Sequence, residues 1–292
     1  GEKTMARHHS EWSVEIRPQK GWLNVNLKEL WQYRDLIYLL ARRTFVAMYK
    51  QTILGPAWAI IQPLLTTSIF TVVFGKIAQI STDGMPQFLF YMCGSVPWNY
   101  FARCLEKTSQ TFLENEKVFG KVYFPRLCAP ISTILVTMLN FFIQFTFFLI
   151  FLTIYALKPN PVVHVNWALA SMFPLVLLQM GLLGLGVGIS VSALTVRYRD
   201  LALLVSFGVQ LWMYISPVAY PTSLMIQNFP GLKTVFMLNP MTPIIEYFRA
   251  AFLGTTTFNA WYLLLSAGVT LLFLFLGTIF FNRVEKTFMD TI

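Results

Sequence analysis

"LCAPISTILVTMLNFFIQFTFFLIFLTIYAL", residues 127–157, contains no charged residue. A helix needs roughly 20 apolar residues to cross the hydrocarbon core of a bilayer, because each residue adds about 1.5 Å. This stretch is longer than that minimum, so a helix over it can tilt or project from the membrane. It predicts a membrane-spanning helix.

The rest of the chain has the same character. Hydrophobic residues make up 56% of the 292 residues and charged residues only 12%, against roughly 25% charged in soluble domains. We therefore predict an all-α integral membrane protein with six transmembrane helices. Besides 127–157, the predicted spans lie near 57–76, 87–103, 167–196, 201–220 and 261–282. The span near 87–103 is short and contains Pro97.

The charged residues orient these spans. If the N-terminus is inside, 18 of the 22 lysines and arginines fall on the inner side and four on the outer side. The positive-inside rule then predicts that both termini are cytoplasmic. Residues 1–28 are polar and lack an apolar signal segment, so we predict a cytoplasmic tail. The distribution of the cations that give the net charge of +9 is explained by membrane orientation, so we expect no nucleic-acid partner.

Residues 29–51 have the pattern of an amphipathic helix. Apolar side chains fall on one face, and the opposite face carries Asp35, Arg42, Arg43 and Lys50. Such a helix lies in the membrane interface with its cations at the lipid headgroups. In one interpretation this helix serves only as a membrane anchor. In the other, one of its cations, Arg42, Arg43 or Lys50, contacts a phosphorylated lipid substrate. The pattern alone leaves both interpretations open.

Polar and small residues mark two of the spans. Thr133, Thr137, Asn140 and Gln144 form one polar stripe along span three, which indicates either hydrogen bonding to another helix or the lining of a pore. In "GLLGLGVG", residues 181–188, the spacing of Gly184 and Gly188 predicts close packing of span four against another helix.

Several chemistries have no counterpart in the sequence. No Asp, Glu, Lys, Arg or His lies in the middle of any predicted span, although ion-coupled transporters usually carry such residues. The chain has no G-x-x-x-x-G-K-[ST] phosphate loop, so we expect no nucleotide cofactor in this chain. It has no G-x-S-x-G motif or intramembrane catalytic pair, and we predict no catalytic residues. The three cysteines and three histidines are too scattered for a metal site.

Four stretches, in order, carry a family resemblance. They are "YKQTILGPAWAIIQPLLTTSIFTVVFGKI" (49–77), "ENEKVFGKVYFPR" (114–126), "VRYRDL" (196–201) and "SPVAYP" (216–221) followed by "LNPMTPIIEYFR" (238–249). Together they resemble the ABC-2 type permeases of polysaccharide export, and most closely the O-antigen and teichoic acid exporters. Residues 52–292 would then be the transmembrane domain.

The resemblance implies a transporter subunit rather than an enzyme. Two copies of the permease would assemble with two copies of a separate ATPase subunit, which would hold ATP and magnesium. The complex would export a glycan linked to undecaprenyl diphosphate, most simply O-antigen, across the bacterial inner membrane. A teichoic acid or capsule exporter, a drug or lipid exporter of the same superfamily, and a membrane enzyme or scaffold remain as alternatives.

The resemblance also assigns a coupling loop, residues 104–126. A short helix there would dock into the ATPase, with four charged residues near the contact: Glu114, Glu116, Lys117 and Lys121. A merely solvated loop is the alternative.

The outer stretch 221–260 is interrupted by Pro230, Pro240 and Pro243. Proline breaks helix interiors, so we predict two short helices that form a re-entrant hairpin. Glu246 and Arg249 lie at i, i+3 and can pair on one helix face. We expect Pro240, Pro243 and this pair to belong to a periplasmic gate. A structural anchor at the outer interface is the alternative.

Overall fold

The structure is a computed structural model that describes residues 27–50, 52–119, 121, 124–196, 198 and 200–289. For residues 116, 117 and 285–289 it describes only the backbone. Of the predicted cytoplasmic tail, only Leu27 and Lys28 fall within these residues, and they begin the first helix. All regular structure in the described residues is helical, which confirms the all-α part of the predicted fold class.

Helices occupy all six positions predicted as spans. Thirteen α-helices follow along the described chain: α1 Leu27–Gln32, α2 Arg34–Tyr49, α3 Trp58–Phe70, α4 Gln87–Ser109, α5 Thr111–Phe119, α6 Cys128–Ala156, α7 Trp167–Ala170, α8 Phe173–Thr195, α9 Leu201–Ile215, α10 Thr222–Asn228, α11 Lys233–Leu238, α12 Met241–Phe252 and α13 Ala260–Met289. A 3₁₀ turn, Gly55–Ala57, precedes α3, and a π-helical stretch, Thr71–Ile77, extends it. The predicted span 167–196 divides into α7 and α8 because the chain turns at Ser171 and Met172.

Four helical segments are long and apolar enough to cross a membrane: Gly55–Ile77, Cys128–Ala156, Phe173–Thr195 and Ala260–Val284. The other two predicted spans differ from these. Helix α4 has 23 residues but a more polar composition, and α9 has only 15 residues, or about 22 Å. The crossing of the membrane by α4 and α9 therefore stays a prediction.

Helix α8 packs tightly against α4 and α13 at its glycines. A Cβ atom on Gly184 would lie 2.6 Å from the Cβ of Cys104, and one on Gly188 would overlap the hydroxyl of Thr108. On another face, a Cβ on Gly186 would lie 2.7 Å from the backbone nitrogen of Leu274. The close packing predicted from Gly184 and Gly188 is confirmed.

The bundle has two distinct ends, which we name after the helices that lie there. At the α5 end, the last residues of α4 and α8 meet, since the hydroxyl of Thr195 donates to the carbonyl of Ser109. At the α12 end, the hydroxyl of Tyr247 donates to the carbonyl of Leu169, near the start of α8. Helix α4 runs between them, so the ends are roughly 30 Å apart.

The amphipathic helix predicted over 29–51 consists of α1 and α2, which are joined at Tyr33. Ile37 and Ala41 are buried, whereas Arg42, Arg43 and Lys50 are exposed as the pattern predicts.

Helix α5 is anchored in an aromatic cluster at its own end of the bundle. The ring of Phe112 lies 4.5 Å from that of Phe281 in α13 and 6.0 Å from that of Phe119. Ile37 of α2 and Ile189 of α8 belong to the same buried cluster. Helix α5 therefore packs against several helices at once.

The stretch after α9 contains three short α-helices, α10 to α12, so the prediction of two is wrong. The chain breaks near Pro230 and at Asn239–Pro240, but Pro243 lies in the first turn of α12. Proline is tolerated there because the first-turn N–H groups have no partner within the helix.

Candidate functional site

A cavity of about 430 Å³ opens at the α5 end between α2, α5 and α6. Its walls combine apolar side chains with charged ones. The charged side chains are Arg43 from α2, Lys107 from the end of α4 and Glu114 from α5. Cavities of this size are typical of small-ligand sites.

Lys107 and Glu114 face each other across the α4–α5 corner. The Nζ atom of Lys107 lies 3.5 Å from Oε1 of Glu114, and both side chains are about half exposed. Such a solvent-accessible pair contributes only about 0–1 kcal/mol to stability. The contact is therefore easily exchanged for another partner.

The cavity brings together residues that the sequence assigned to three separate roles. Arg43, Glu114, Thr133 and Thr137 all line it. Arg42, Lys50 and Lys121 are exposed and do not line it. The side chains of Glu116 and Lys117 lie outside the described residues.

The two later residues of the polar stripe on α6, Asn140 and Gln144, face other side chains. Asn140 accepts a hydrogen bond from the hydroxyl of Tyr49, and its Nδ2 lies 3.8 Å from the sulfur of Met48. Gln144 is buried, and its Oε1 has no partner among the described residues. In the single chain, Asn140 therefore joins α6 to α2, and the lining of a pore by the stripe stays a prediction.

Sequence reasoning missed Lys107 and Arg103. Arg103 donates from Nη2 to Oε1 of Gln62 at 3.0 Å and so ties α4 to α3. The turn at Gln110 folds α5 back toward α4, which brings Lys107 to Glu114 seven residues later. No local pattern announces such a turn.

Arg249 is the central residue at the α12 end, with only 2% of its surface exposed. Its Nη2 donates to the carbonyl of Val218 at 3.0 Å and its Nη1 to that of Tyr220 at 3.4 Å. A Cβ on Gly94 of α4 would lie 2.9 Å from Nη2, so only glycine leaves room for the guanidinium there. Arg249 thus holds the loop 216–221 against α4.

Glu246 has a different partner. It is 3% exposed and accepts a hydrogen bond from the hydroxyl of Thr222. Among the described residues, Glu246 and Arg249 form no direct ion pair, so the pairing predicted from their spacing is wrong. Burial lowers the pKa of Arg249, whereas the nearby charge of Glu246 raises it. The two residues interact through space but bind different parts of the chain.

The break between α11 and α12 is fixed from two sides. The indole N–H of Trp212 donates to Oδ1 of Asn239 at 2.9 Å, and Nδ2 of Asn239 donates to the hydroxyl of Ser216 at 2.9 Å. The carbonyl of Pro240 accepts from the hydroxyl of Ser266 at 2.7 Å. Pro240 therefore lies at a restrained corner, and Pro243 is buried within α12.

Both ends lie within one stretch of family similarity. Residues 35–253 match the ABC-2 type transporter family. The chain belongs to this family. Its curated relatives include an O-antigen export system permease protein RfbA of Klebsiella pneumoniae, 26% identical over 88% of this chain and 94% of the relative. The protein of the same name from Myxococcus xanthus is 26% identical over 91% of this chain and 98% of its own length.

As an ABC-2 transporter, the chain is a membrane transport subunit. The matched stretch begins in α2 and ends just after α12, so it includes the cavity residues and the surroundings of Arg249. Among the described residues, no group of three or more potential metal ligands occurs.

Proposed function

We propose that this chain is the permease subunit of an ATP-driven exporter that moves undecaprenyl-diphosphate-linked O-antigen across the bacterial inner membrane. The observation that carries the proposal is the similarity to O-antigen export permeases over almost the whole chain. The apolar helices suit a multi-pass membrane protein. The cavity at the α5 end offers cations beside an apolar wall, as a lipid-linked anion requires.

The energy for export comes from a separate subunit in this proposal. Two permease chains associate with two ATPase chains, which bind ATP and magnesium. Helix α5 is the coupling helix, with the exposed Glu114 and Lys121 toward the ATPase. Because Phe112 packs on Phe281, a force on α5 reaches α13.

The distribution of charges supports one orientation of the chain in the membrane. Both termini and the α5 end face the cytoplasm, whereas the α12 end faces the periplasm. Helices α10 to α12 form the periplasmic gate, and Arg249 and Glu246 hold its closed form. Arg42, Arg43 and Lys50 lie at the headgroup level, where a lipid diphosphate enters.

Deletion of the gene in its native bacterium tests the function. We expect loss of long-chain polysaccharide from the cell surface and accumulation of lipid-linked polysaccharide inside. A plasmid copy should restore export, but not when the partner ATPase is inactivated at its hydrolysis site. Accumulation of lipid-linked teichoic acid or capsule instead would identify that polymer as the cargo. Unchanged surface glycans with retention of drugs or lipids would refute polysaccharide export.

A further inference from the structure

Most hydrogen-bond donors that line the cavity at the α5 end, apart from its two cations, already have acceptors within their own helices. Ser132 and Thr133 both donate to the carbonyl of Ala129, at 2.7 and 3.1 Å, and Thr137 donates to that of Thr133 at 2.9 Å. The amide of Asn115 donates to the carbonyl of Thr111 at 2.9 Å. An anionic ligand would therefore be bound by Arg43 and Lys107, and the hydroxyls can accept from a ligand's own O–H groups.

The two cations are available for this purpose. Arg43 forms no ion pair with any residue that the structure describes, and its planar guanidinium suits two oxygens of one phosphate. Among the described residues, the one ion pair that Lys107 forms is the half-exposed contact with Glu114. A phosphate ester with more than one negative charge competes well with a single carboxylate for such a lysine.

The remaining lining suits the hydrocarbon next to such a phosphate. Six apolar side chains line the same cavity: Leu40, Ala47, Met48, Val118, Ala129 and Val136. A soluble inorganic anion has no apolar group to pack against these side chains, whereas a phosphorylated lipid presents charge and hydrocarbon side by side. The arrangement therefore favours a lipid headgroup.

We propose that this cavity binds the phosphate-ester headgroup of a polyprenyl lipid, with Arg43 and Lys107 as its ligands, and that the headgroup displaces Glu114 from Lys107. The proposal rests on the proposed function and deepens it. Because Glu114 belongs to α5, its release changes the charge that the coupling helix presents. Occupancy of the cavity is thereby signalled to α5 without any movement of the bundle.

Lipid binding to the full chain in phosphatidylcholine nanodiscs tests this. Bound undecaprenyl diphosphate is counted by native mass spectrometry over a titration. Lys107→Met should weaken binding about tenfold because a charge-assisted contact is lost. Glu114→Gln should tighten binding, by up to about fivefold, because it removes the competing carboxylate. Lys107→Arg should bind nearly as wild type, and Lys28→Met, an exposed lysine away from the cavity, should be unchanged.

The proposal requires that Lys107→Met weakens lipid binding and that Glu114→Gln tightens it. If the Lys107–Glu114 pair only held α4 and α5 together, both variants would change binding in the same direction, and that result would overturn the proposal. Equal binding of undecaprenol, which lacks phosphate, would also overturn it. Displacement of the lipid by inorganic pyrophosphate at equal concentration would show a site for soluble anions and refute the lipid assignment. Export in cells is a separate measurement, so this inference can fail while the proposed function stands.

Discussion

The guanidinium carbon of Arg249 lies 3.7 Å from the centre of the Phe90 ring. A buried cation usually needs a carboxylate, but here an aromatic face and two backbone carbonyls supply the favourable contacts. Arg249 therefore fastens the loop 216–221 to α4, so the packing at the α12 end depends on backbone positions rather than on one pair of side chains.

Replacing Arg249 with lysine should impair the gate. An ammonium group cannot donate to both carbonyls and lie flat on Phe90 as a guanidinium does. Each lost charge-assisted bond weakens the folded state by about 1.5–3 kcal/mol. We expect a lower unfolding temperature in detergent and reduced export. A direct pair would be rescued by the double variant Glu246→Arg with Arg249→Glu; since the two residues have different partners, we expect no recovery.

Thr222→Val tests the other half of the gate. The variant keeps the shape of the side chain but leaves the buried Glu246 carboxylate without its donor. We expect leakage of a small periplasmic dye into vesicles or stalled export, at normal expression. Ser223→Ala is the matched control, because its bond to Asp83, at 2.9 Å, is exposed. Equal behaviour of the two variants would contradict the role given to Glu246.

Charge reversal on α5 should uncouple the transporter. Glu114→Lys with Glu116→Lys inverts the charge that α5, as the proposed coupling helix, would present to the ATPase. We expect weaker copurification of the ATPase, or ATP hydrolysis without export. Normal export by the double variant would make 104–126 a solvated loop only.

The topology can be checked with single cysteines. The three native cysteines are buried, so in the folded protein they should not react with the reagent. Replacing them with alanine removes the background reaction that comes from unfolded protein. Lys121 and Thr256 are exposed and lie beyond opposite ends of the bundle. Cysteines at these positions should react with a membrane-impermeant maleimide from opposite sides. Reaction of both from the outside would refute the orientation.

Gly188→Ala should destabilise the bundle. The added methyl group would overlap the hydroxyl of Thr108, and overpacking typically costs about 1–3 kcal/mol. Gly208→Ala in α9 is the control, since a Cβ there would meet no atom within 4 Å. Thermal melts of the two variants in detergent measure the difference, and adding Thr108→Ala to Gly188→Ala should recover part of it.

The sequence predicted those features that depend on local composition. Apolar length predicted positions at which the structure has helices, and the glycine spacing predicted that span four packs closely against another helix, which is α4. It could not predict that Lys107 meets Glu114, because that contact depends on the turn at Gln110. It misjudged Arg249 because i, i+3 spacing reports only what is within reach, whereas a long side chain is also drawn to free carbonyls supplied by a distant loop.

The shortness of α9 has a consequence for the lipid around it. If its 15 residues cross the bilayer, they cover about 8 Å less than a hydrocarbon core of about 30 Å. The two leaflets must then draw together beside this helix. Polar groups face a thinner barrier at that place than elsewhere in the membrane. Reconstitution in lipids with shorter acyl chains should therefore stabilise the protein. Lipids with longer acyl chains should slow transport, even though the amino-acid sequence is unchanged.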